Sequence, residues 1–437
     1  MKSQPVTSRI SLAAAISIGI GGMIGAGIFS ILGVVAMAAG AAMWISFLIG
    51  GVIALFCTYS YAKLGAKFPS AGGAVQFLVE GYGAGNISGS INLFMWIGYI
   101  ISIALYAQGF SAYFMTFFTE TPSPLLTKGI ASAIVIFFTA INMLGAASVG
   151  KAELFIVIVK VTILILFAGI GLFYIHPENL APSHWSDIQH IFFGAGVLFI
   201  GYEGFGLIAN TAANMNDPEK SLPKALYLSV FIVIAIYIAV SITVVGNLST
   251  AEIYKFGDYA LAAAAKPFLG MLGFKLIAIA ALFSTASAIN ATLFGAANVS
   301  YMIARDGELP GYFERTQWRN ATGGLVFTTL LTIIFILFFN LSGVAMMGSG
   351  AFLLIYAAVN AGHLKILAKT QAKKSLVMTS LALCLILFVI LEIYTFQKAP
   401  AAVYTMIVLF IGCFVFEKIY RKISGTHVQV KVDKCSV

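Results

Sequence analysis

The chain has 437 residues, of which 60% are hydrophobic and only 9% are charged. A water-soluble domain of this size carries roughly a quarter of its residues as Asp, Glu, Lys and Arg, so the composition excludes a soluble protein and indicates a lipid bilayer. The formal net charge of +9 does not indicate a nucleic-acid partner, because the basic residues follow the membrane topology described below.

Twelve long apolar stretches follow one another along the chain. A membrane helix needs about 20 mostly apolar residues, because the hydrocarbon core is roughly 30 Å thick and each helical residue rises about 1.5 Å. Backbone polar groups must pair within their own segment in lipid, so each stretch is predicted to be helical. The predicted spans are 11–39, 41–62, 87–118, 125–142, 150–175, 189–214, 224–246, 268–304, 322–340, 343–367, 375–396 and 400–420.

The segments between the spans are short. The longest, near 246–267 and 305–321, are too small to bury a core of their own, so we predict one transmembrane domain over 1–421 and a short cytoplasmic tail over 422–437. Most of the 25 lysines and arginines lie on the N-terminal side of the membrane. The positive-inside rule therefore predicts a multi-pass protein of the cytoplasmic (inner) membrane with both termini in the cytoplasm. We expect no cleavable signal peptide and no disulfide.

Two spans are rich in glycine near their centres. The first contains GIGGMIGAG at 19–27, and the sixth contains GYEGFG at 201–206. Each interior glycine costs a helix about 1 kcal/mol relative to alanine, so both spans are predicted to be interrupted near the bilayer midplane. Helix packing is the alternative for the first span, since Gly21 and Gly25 form a small-xxx-small pair. Packing does not explain Glu203, a carboxylate between the glycines of the sixth span.

Each of these two spans opens a set of five. Five is an odd number, so the second set enters the membrane from the opposite side. This predicts an inverted repeat, with a first unit over about 11–175, a second over about 189–367 and two additional helices over about 375–420. Paired interrupted helices in the two halves are typical of a secondary transporter with its site at the midplane. The predicted fold class is an all-α membrane protein with 12 transmembrane helices in a five-plus-five inverted repeat.

Two ionisable residues lie deep inside predicted spans. Lys160 follows Lys151 by nine residues, which is about 13 Å of helix and places it near the centre of the fifth span. A lysine there costs roughly 2.5–3.5 kcal/mol on insertion scales, and it could lose and regain a proton, as proton coupling requires. The alternative is a structural amine bound permanently to backbone carbonyls. Three roles are open for Glu203. It is either a protonated acid bonded to unwound backbone, a counter-charge for a substrate amine, or a second proton site.

Other side chains carry weaker signals. Ser284, Thr285 and Ser287 form a hydroxyl cluster in the eighth span, which could help to bind sodium or could bond to carbonyls one turn back. No histidine is clustered with acids or cysteines, so no metal site is expected. No phosphate-binding loop, nucleophile elbow or catalytic triad is found at a plausible spacing. We therefore expect no enzyme activity and no cofactor, with the proton as coupling ion.

Four motifs resemble those of the amino acid–polyamine–organocation transporters. They are GGMIGAGIF at 21–29, PSAGG at 69–73, DPEKSLPKA at 217–225 and ARDGELP at 304–310. The motifs occur in order at the appropriate spans, and the similarity runs through almost the whole chain. The chain looks most similar to archaeal, sodium-independent, proton-coupled members with broad amino-acid specificity. The resemblance implies the LeuT-like form of the inverted-repeat fold.

The resemblance also implies where the substrate binds. Its carboxylate would meet the free amides of a half-helix N-terminus, those of Ile24, Gly25, Ala26 and Gly27. Its ammonium would meet carbonyls freed by the two breaks, beside Glu203, at Gly21, Ile200, Gly201 and Tyr202. Its side chain would face the third, sixth and eighth spans, with Tyr99 and Tyr106 in the wall. The amine of Lys160 would occupy the sodium position of sodium-coupled relatives, near Gly21, Ser284, Thr285 and Ser287.

These features predict a secondary active transporter that imports amino acids with protons by alternating access, independently of sodium. The alternatives are an amino-acid or polyamine exchanger and, third, a sodium-coupled symporter. Ile200 stands where cation-exchanging relatives carry an aromatic gate, which disfavours exchange. Outside transport, the alternatives are an amino-acid sensor and a membrane-embedded enzyme. The expected partners are a small amino acid and the lipid bilayer, and the oligomeric state is not predicted.

Overall fold

The computed structural model describes most of the chain. The described residues are 10–70, 72–119, 123–144, 149–305, 307–313, 316–318 and 321–424. The predicted cytoplasmic tail lies outside them from residue 425 onward, as do residues 71 and 306 of two of the motifs.

The long apolar stretches are helices, as their composition requires in lipid. Their bounds, with those of the short connecting helices, are α1 (Leu12–Ala39), α2 (Met43–Lys67), α3 (Ala74–Tyr82), α4 (Asn86–Met115), α5 (Pro124–Leu144), α6 (Val149–Gly171), α7 (Ile188–Val197), α8 (Gly206–Ala209), α9 (Pro218–Asn247), α10 (Thr250–Phe256), α11 (Ala260–Ala263), α12 (Lys266–Arg305), α13 (Gly323–Phe338), α14 (Leu341–Lys365), α15 (Leu367–Thr370), α16 (Lys374–Lys398) and α17 (Pro400–Ser424). Single 3₁₀ segments occur at Leu172–Tyr174, Pro177–Leu180, Pro182–His184, Leu198–Phe205, Ala212–Asn214 and Gly257–Tyr259.

Eleven helices of the described chain are long and apolar enough to cross a membrane. The predicted ninth span is α13, an apolar helix of 16 residues that is shorter than the other spans. A helical membrane protein is therefore confirmed, whereas the number of twelve spans stays a prediction. The chain is not exclusively helical, because β1 (Thr316–Trp318) and β2 (Ala321–Thr322) form an antiparallel hairpin in the predicted 305–321 loop.

The first and sixth spans run antiparallel and are joined at both ends. At one end, the amide of Ile10 donates to the carbonyl of Asn214 over 2.9 Å. At the other end, the amide of Ala41 donates to the carbonyl of His184 over 3.1 Å. The first span thus begins where the sixth span ends, which is the relation that an inverted repeat requires.

The predicted interruption of the first span is wrong: α1 is helical from Leu12 to Ala39. Its glycines permit close approach instead, because a Cβ on Gly27 would lie 2.7 Å from the Cα of Gly201, and a Cβ on Gly22 would lie 3.1 Å from the Cα of Gly204. The packing alternative therefore describes the first span. It follows that the amides of 24–27 belong to a continuous helix rather than to a half-helix N-terminus.

The predicted interruption of the sixth span is confirmed. Its α-helix α7 ends at Val197, and the next eight residues, Leu198–Phe205, form a 3₁₀ helix before α8 resumes the α-helical form. Runs of 3₁₀ helix longer than three or four residues are uncommon, and inside a helix they often mark a hinge or strain. The tighter winding places Glu203 in the centre of the molecule.

Candidate functional site

A small central cavity lies between the first, third, sixth and eighth spans. It has a volume of about 100 Å³, below the roughly 300–1,000 Å³ of pockets for drug-sized ligands. Its lining is apolar apart from a carboxyl group, two hydroxyls and backbone, and consists of Ile18, Gly21, Gly22, Tyr106, Glu203, Leu207, Ala288, Ala291 and Thr292.

The carboxyl group of this cavity belongs to Glu203, whose side chain is only 3% exposed. The Tyr106 hydroxyl, on α4, donates to Glu203 Oε1 over 3.2 Å. The Tyr356 hydroxyl, on α14, donates to the backbone carbonyl of Glu203 over 3.0 Å. Two neighbouring helices therefore bind Glu203, one through its side chain and the other through its backbone carbonyl.

Side chains of neighbouring helices also bind backbone groups of the two glycine-rich spans. The Tyr237 hydroxyl donates to the carbonyls of Met23, over 2.5 Å, and Gly201, over 3.1 Å, and so joins the two glycine-rich spans. The amide of Ile200 donates to Ser349 Oγ over 3.0 Å. Tyr202 points away from the cavity, since its hydroxyl donates to the carbonyl of Phe47 over 2.9 Å.

Lys160 lies against the first span, where the resemblance implied it. Its Nζ donates to the carbonyl of Gly21 over 2.9 Å, and the side chain is 1% exposed. Gly21 also lines the central cavity. The lysine and the cavity thus share one residue of α1.

The hydroxyl groups of the eighth span bind carbonyls on two different helices. Ser284 Oγ donates to the carbonyls of Ile24 and Gly25 over 3.0 and 2.9 Å, so it ties α12 to the glycine-rich segment of α1. Thr285 Oγ1 donates to the carbonyl of Ala281 over 2.7 Å, one turn back on its own helix. Ser287 is buried beside them.

The two predicted wall tyrosines differ in position. Tyr106 lines the cavity, whereas Tyr99 packs edge-on against Phe352, with ring centroids 5.7 Å apart. Of the predicted substrate-binding residues that the structure describes, only Gly21, Tyr106 and Glu203 line the cavity. The sequence did not indicate the other lining residues, because apolar and hydroxyl residues within spans carry no distinguishing pattern; they are Ile18, Gly22, Leu207, Ala288, Ala291 and Thr292. The sequence reasoning also missed Tyr237. The signal that could have indicated it is a hydroxyl group inside a membrane span, which needs a hydrogen-bond partner.

The fold is a bundle of membrane-spanning helices with an antiparallel pair of glycine-rich spans. A buried carboxyl group lines its small central cavity, and a buried amine contacts the cavity wall at Gly21. These features are typical of a membrane transporter. The sequence model of the amino acid permease family matches residues 10–416. The chain belongs to this family, and it is a transporter rather than an enzyme.

Its relatives include bacterial and archaeal proteins. An uncharacterized protein of Methanocaldococcus jannaschii is 43% identical over 423 residues, 95% of this chain and 96% of that protein. The inner membrane transport protein YbaT of Escherichia coli is 35% identical over 345 residues, 79% of this chain and 80% of that protein. The serine/threonine exchanger SteT of Bacillus subtilis is 29% identical over 320 residues, 69% of each chain.

Proposed function

We propose that this permease imports amino acids together with protons by alternating access, without sodium, across a cytoplasmic membrane in which both termini face the cytoplasm. The observation that carries the proposal is the contact between the buried amine of Lys160 and the carbonyl of Gly21 in the wall of the central cavity. A proton on this amine supplies the positive charge that a sodium ion would otherwise provide at the same carbonyl.

The amino acid binds in the central cavity with its ammonium group at Glu203. A carboxylate 3% exposed to solvent is costly at this depth unless a counter-charge meets it, and a substrate ammonium is such a charge.

The pairing of the first and sixth spans supports alternating access. The two move as one unit, because Tyr237 bonds to both of them and their glycine backbones are in contact. Loss of the proton from Lys160 on the cytoplasmic side removes the charge-assisted bond to Gly21, which is worth roughly 1.5–3 kcal/mol. The unit then rocks toward the outward-facing state.

Exchange is the second candidate, and the relative named a serine/threonine exchanger favours it. An exchanger takes up labelled amino acid only into vesicles loaded with a counter-substrate, and it does not respond to a pH gradient.

The experiment that tests the proposal has two stages. A thermal-shift screen of the purified protein against the twenty amino acids and common polyamines, with and without sodium, identifies ligands. Uptake of each ligand into empty proteoliposomes is then measured under an inward pH gradient, an inward sodium gradient or neither. We expect accumulation under the pH gradient alone. Accumulation only under the sodium gradient, or only into preloaded vesicles, contradicts the proposal.

A further inference from the structure

A second and larger cavity lies at the far ends of the spans, on the side opposite the N-terminus. Its volume is about 400 Å³, within the range of about 300–1,000 Å³ that accommodates small ligands. It is formed by α4, the start of α5, the 256–259 turn and the junction of α13 and α14, with the lining residues Gln108, Ala112, Pro124, Thr127, Lys128, Phe256, Gly257, Asp258, Tyr259, Phe339, Asn340 and Leu341.

Charged groups of both signs face this outer cavity. Lys128 Nζ donates to the carbonyl of Leu337 over 2.6 Å, and an ammonium group has three donors, so the amine can also bind an anionic ligand. Asp258 supplies a carboxyl group to the same lining from the 257–259 turn. Burial raises the pKa of Asp258 to about 6, because removal of water disfavours the charged form. An unpaired charge in such a place is stabilised by a ligand of opposite charge.

The remaining lining combines amides and aromatic rings. Gln108 Nε2 donates to the carbonyl of Phe339 over 3.1 Å, and the Asn340 side chain caps α14 by accepting from the amide of Gly343 over 2.9 Å. Phe256 and Tyr259 supply apolar surface. A cavity with one cation, one anion and apolar walls is complementary to a zwitterion that carries a side chain.

The Asp258 segment is held firmly against the first span. Gly257 has a φ of +49°, a left-handed conformation that glycine adopts without strain. A Cβ on Gly33 of α1 would overlap the Gly257 carbonyl, and the Tyr254 hydroxyl donates to the carbonyl of Met37 over 3.1 Å. Asp258 is therefore attached to the same helix that forms the wall of the central cavity.

The two cavities also lie at neighbouring levels of α4. Tyr106 lines the central cavity and Gln108 lines the outer cavity. Two residues correspond to about 3 Å of helical rise. The third span therefore contributes residues to both cavities.

We propose that the outer cavity is a separate binding site for a zwitterionic α-amino acid, in which the Asp258 carboxylate binds the ammonium group and the Lys128 ammonium binds the carboxylate. The identity of the ligand rests on the proposed function, whereas the position of the site does not. The amino acid occupies this site before it enters the central cavity.

Protection of an introduced cysteine tests the proposal. Ala112 lines the outer cavity, and the native Cys57, Cys384 and Cys413 are buried. The variant Ala112→Cys, with Cys435→Ser, is labelled in right-side-out vesicles with a membrane-impermeant methanethiosulfonate cation. A mixture of the twenty L-amino acids serves as the probe. At ten times the apparent Kd, we expect labelling to slow by about tenfold, since protection follows 1 + [L]/Kd.

Matched substitutions separate this site from its surroundings. Asp258→Asn and Lys128→Gln should each abolish the protection. Glu252→Gln and Lys255→Gln lie on the same external segment and should retain it. Glu252 is already engaged, since it accepts from the amide and hydroxyl of Ser249 over 2.9 and 2.7 Å.

A central-site variant distinguishes local from transmitted protection. Ala291 lines the central cavity, and Ala291→Trp fills it. In this background we expect uptake to be lost and protection of Ala112→Cys to persist, in protein that elutes as a single species. Protection that disappears with Ala291→Trp, or that survives Asp258→Asn, overturns the outer site. Uptake by the wild-type protein without protection overturns the outer site alone, whereas the absence of uptake for all twenty amino acids also overturns the proposed function.

Discussion

Replacement of Lys160 by methionine removes the buried amine and keeps a side chain of similar length. Two opposing free energies change. The charge-assisted hydrogen bond to the carbonyl of Gly21, 2.9 Å long, is worth roughly 1.5–3 kcal/mol. The burial of the lysine costs roughly 2.5–3.5 kcal/mol. These nearly cancel, so we expect the free energy of unfolding to change by about 1–2 kcal/mol at most.

The effect on coupling is much larger. An inward gradient of one pH unit supplies about 1.4 kcal/mol per proton, which equals about a tenfold accumulation of substrate when one proton moves with each amino acid. Uptake is measured in proteoliposomes with the membrane potential clamped to zero, because about 2.3 kcal/mol per 100 mV would otherwise add to the driving force. The wild-type protein should accumulate substrate about tenfold, and Lys160→Met should only equilibrate it.

The control variant is Lys275→Met, which removes an exposed lysine of α12 and should keep the tenfold accumulation. Undiminished accumulation by Lys160→Met would refute proton coupling through this amine. A large loss of thermal stability in Lys160→Met, with pH-driven uptake retained by the folded fraction, would establish the structural alternative.

Three further outcomes are expected. Protection of Ala112→Cys should weaken as the external pH falls through about 6, because the raised pKa of Asp258 leaves its carboxyl group neutral below that value. Protection that stays constant from pH 5 to 8 would exclude this carboxylate as the group that binds the ligand. Tyr106→Phe removes the hydroxyl donor that lies 3.2 Å from Glu203 Oε1. It should weaken substrate binding by about fivefold or more, since an unsatisfied buried group costs about 1–3 kcal/mol. The control is Tyr99→Phe, which lies outside the cavity, and an equal loss of binding in both variants would argue against the site. Arg421 contacts both Glu417, over 2.5 Å, and Glu308, over 3.4 Å. Arg421→Ala should therefore lower the free energy of unfolding by about 3–5 kcal/mol, as measured by denaturation. Lys422→Ala, which removes an exposed side chain, should leave the free energy of unfolding unchanged.

Much of the site could be predicted from individual residues. Lys160 and Glu203 stand out because charges are rare at the centre of a membrane span. The structure places Glu203 in the lining of the central cavity and Lys160 against Gly21, a residue of the same lining. The glycines at 201–206 predict the interrupted sixth span because glycine is a poor helix former. The segment at 19–27 is equally rich in glycine, but it does not interrupt its helix. Its backbone stays helical and lies against the sixth span.

The sequence alone determined that the chain crosses a membrane many times, since apolar runs of about 20 residues have no other stable place. It also determined that two of its spans are special. Only the tertiary structure decided which of the two departs from the α-helical form. The same glycine can weaken a helix or allow a neighbouring backbone to approach, and the outcome depends on what packs against it. The same holds for the two cavities: their lining residues come from spans far apart in the sequence, and no local pattern records which faces of those helices meet.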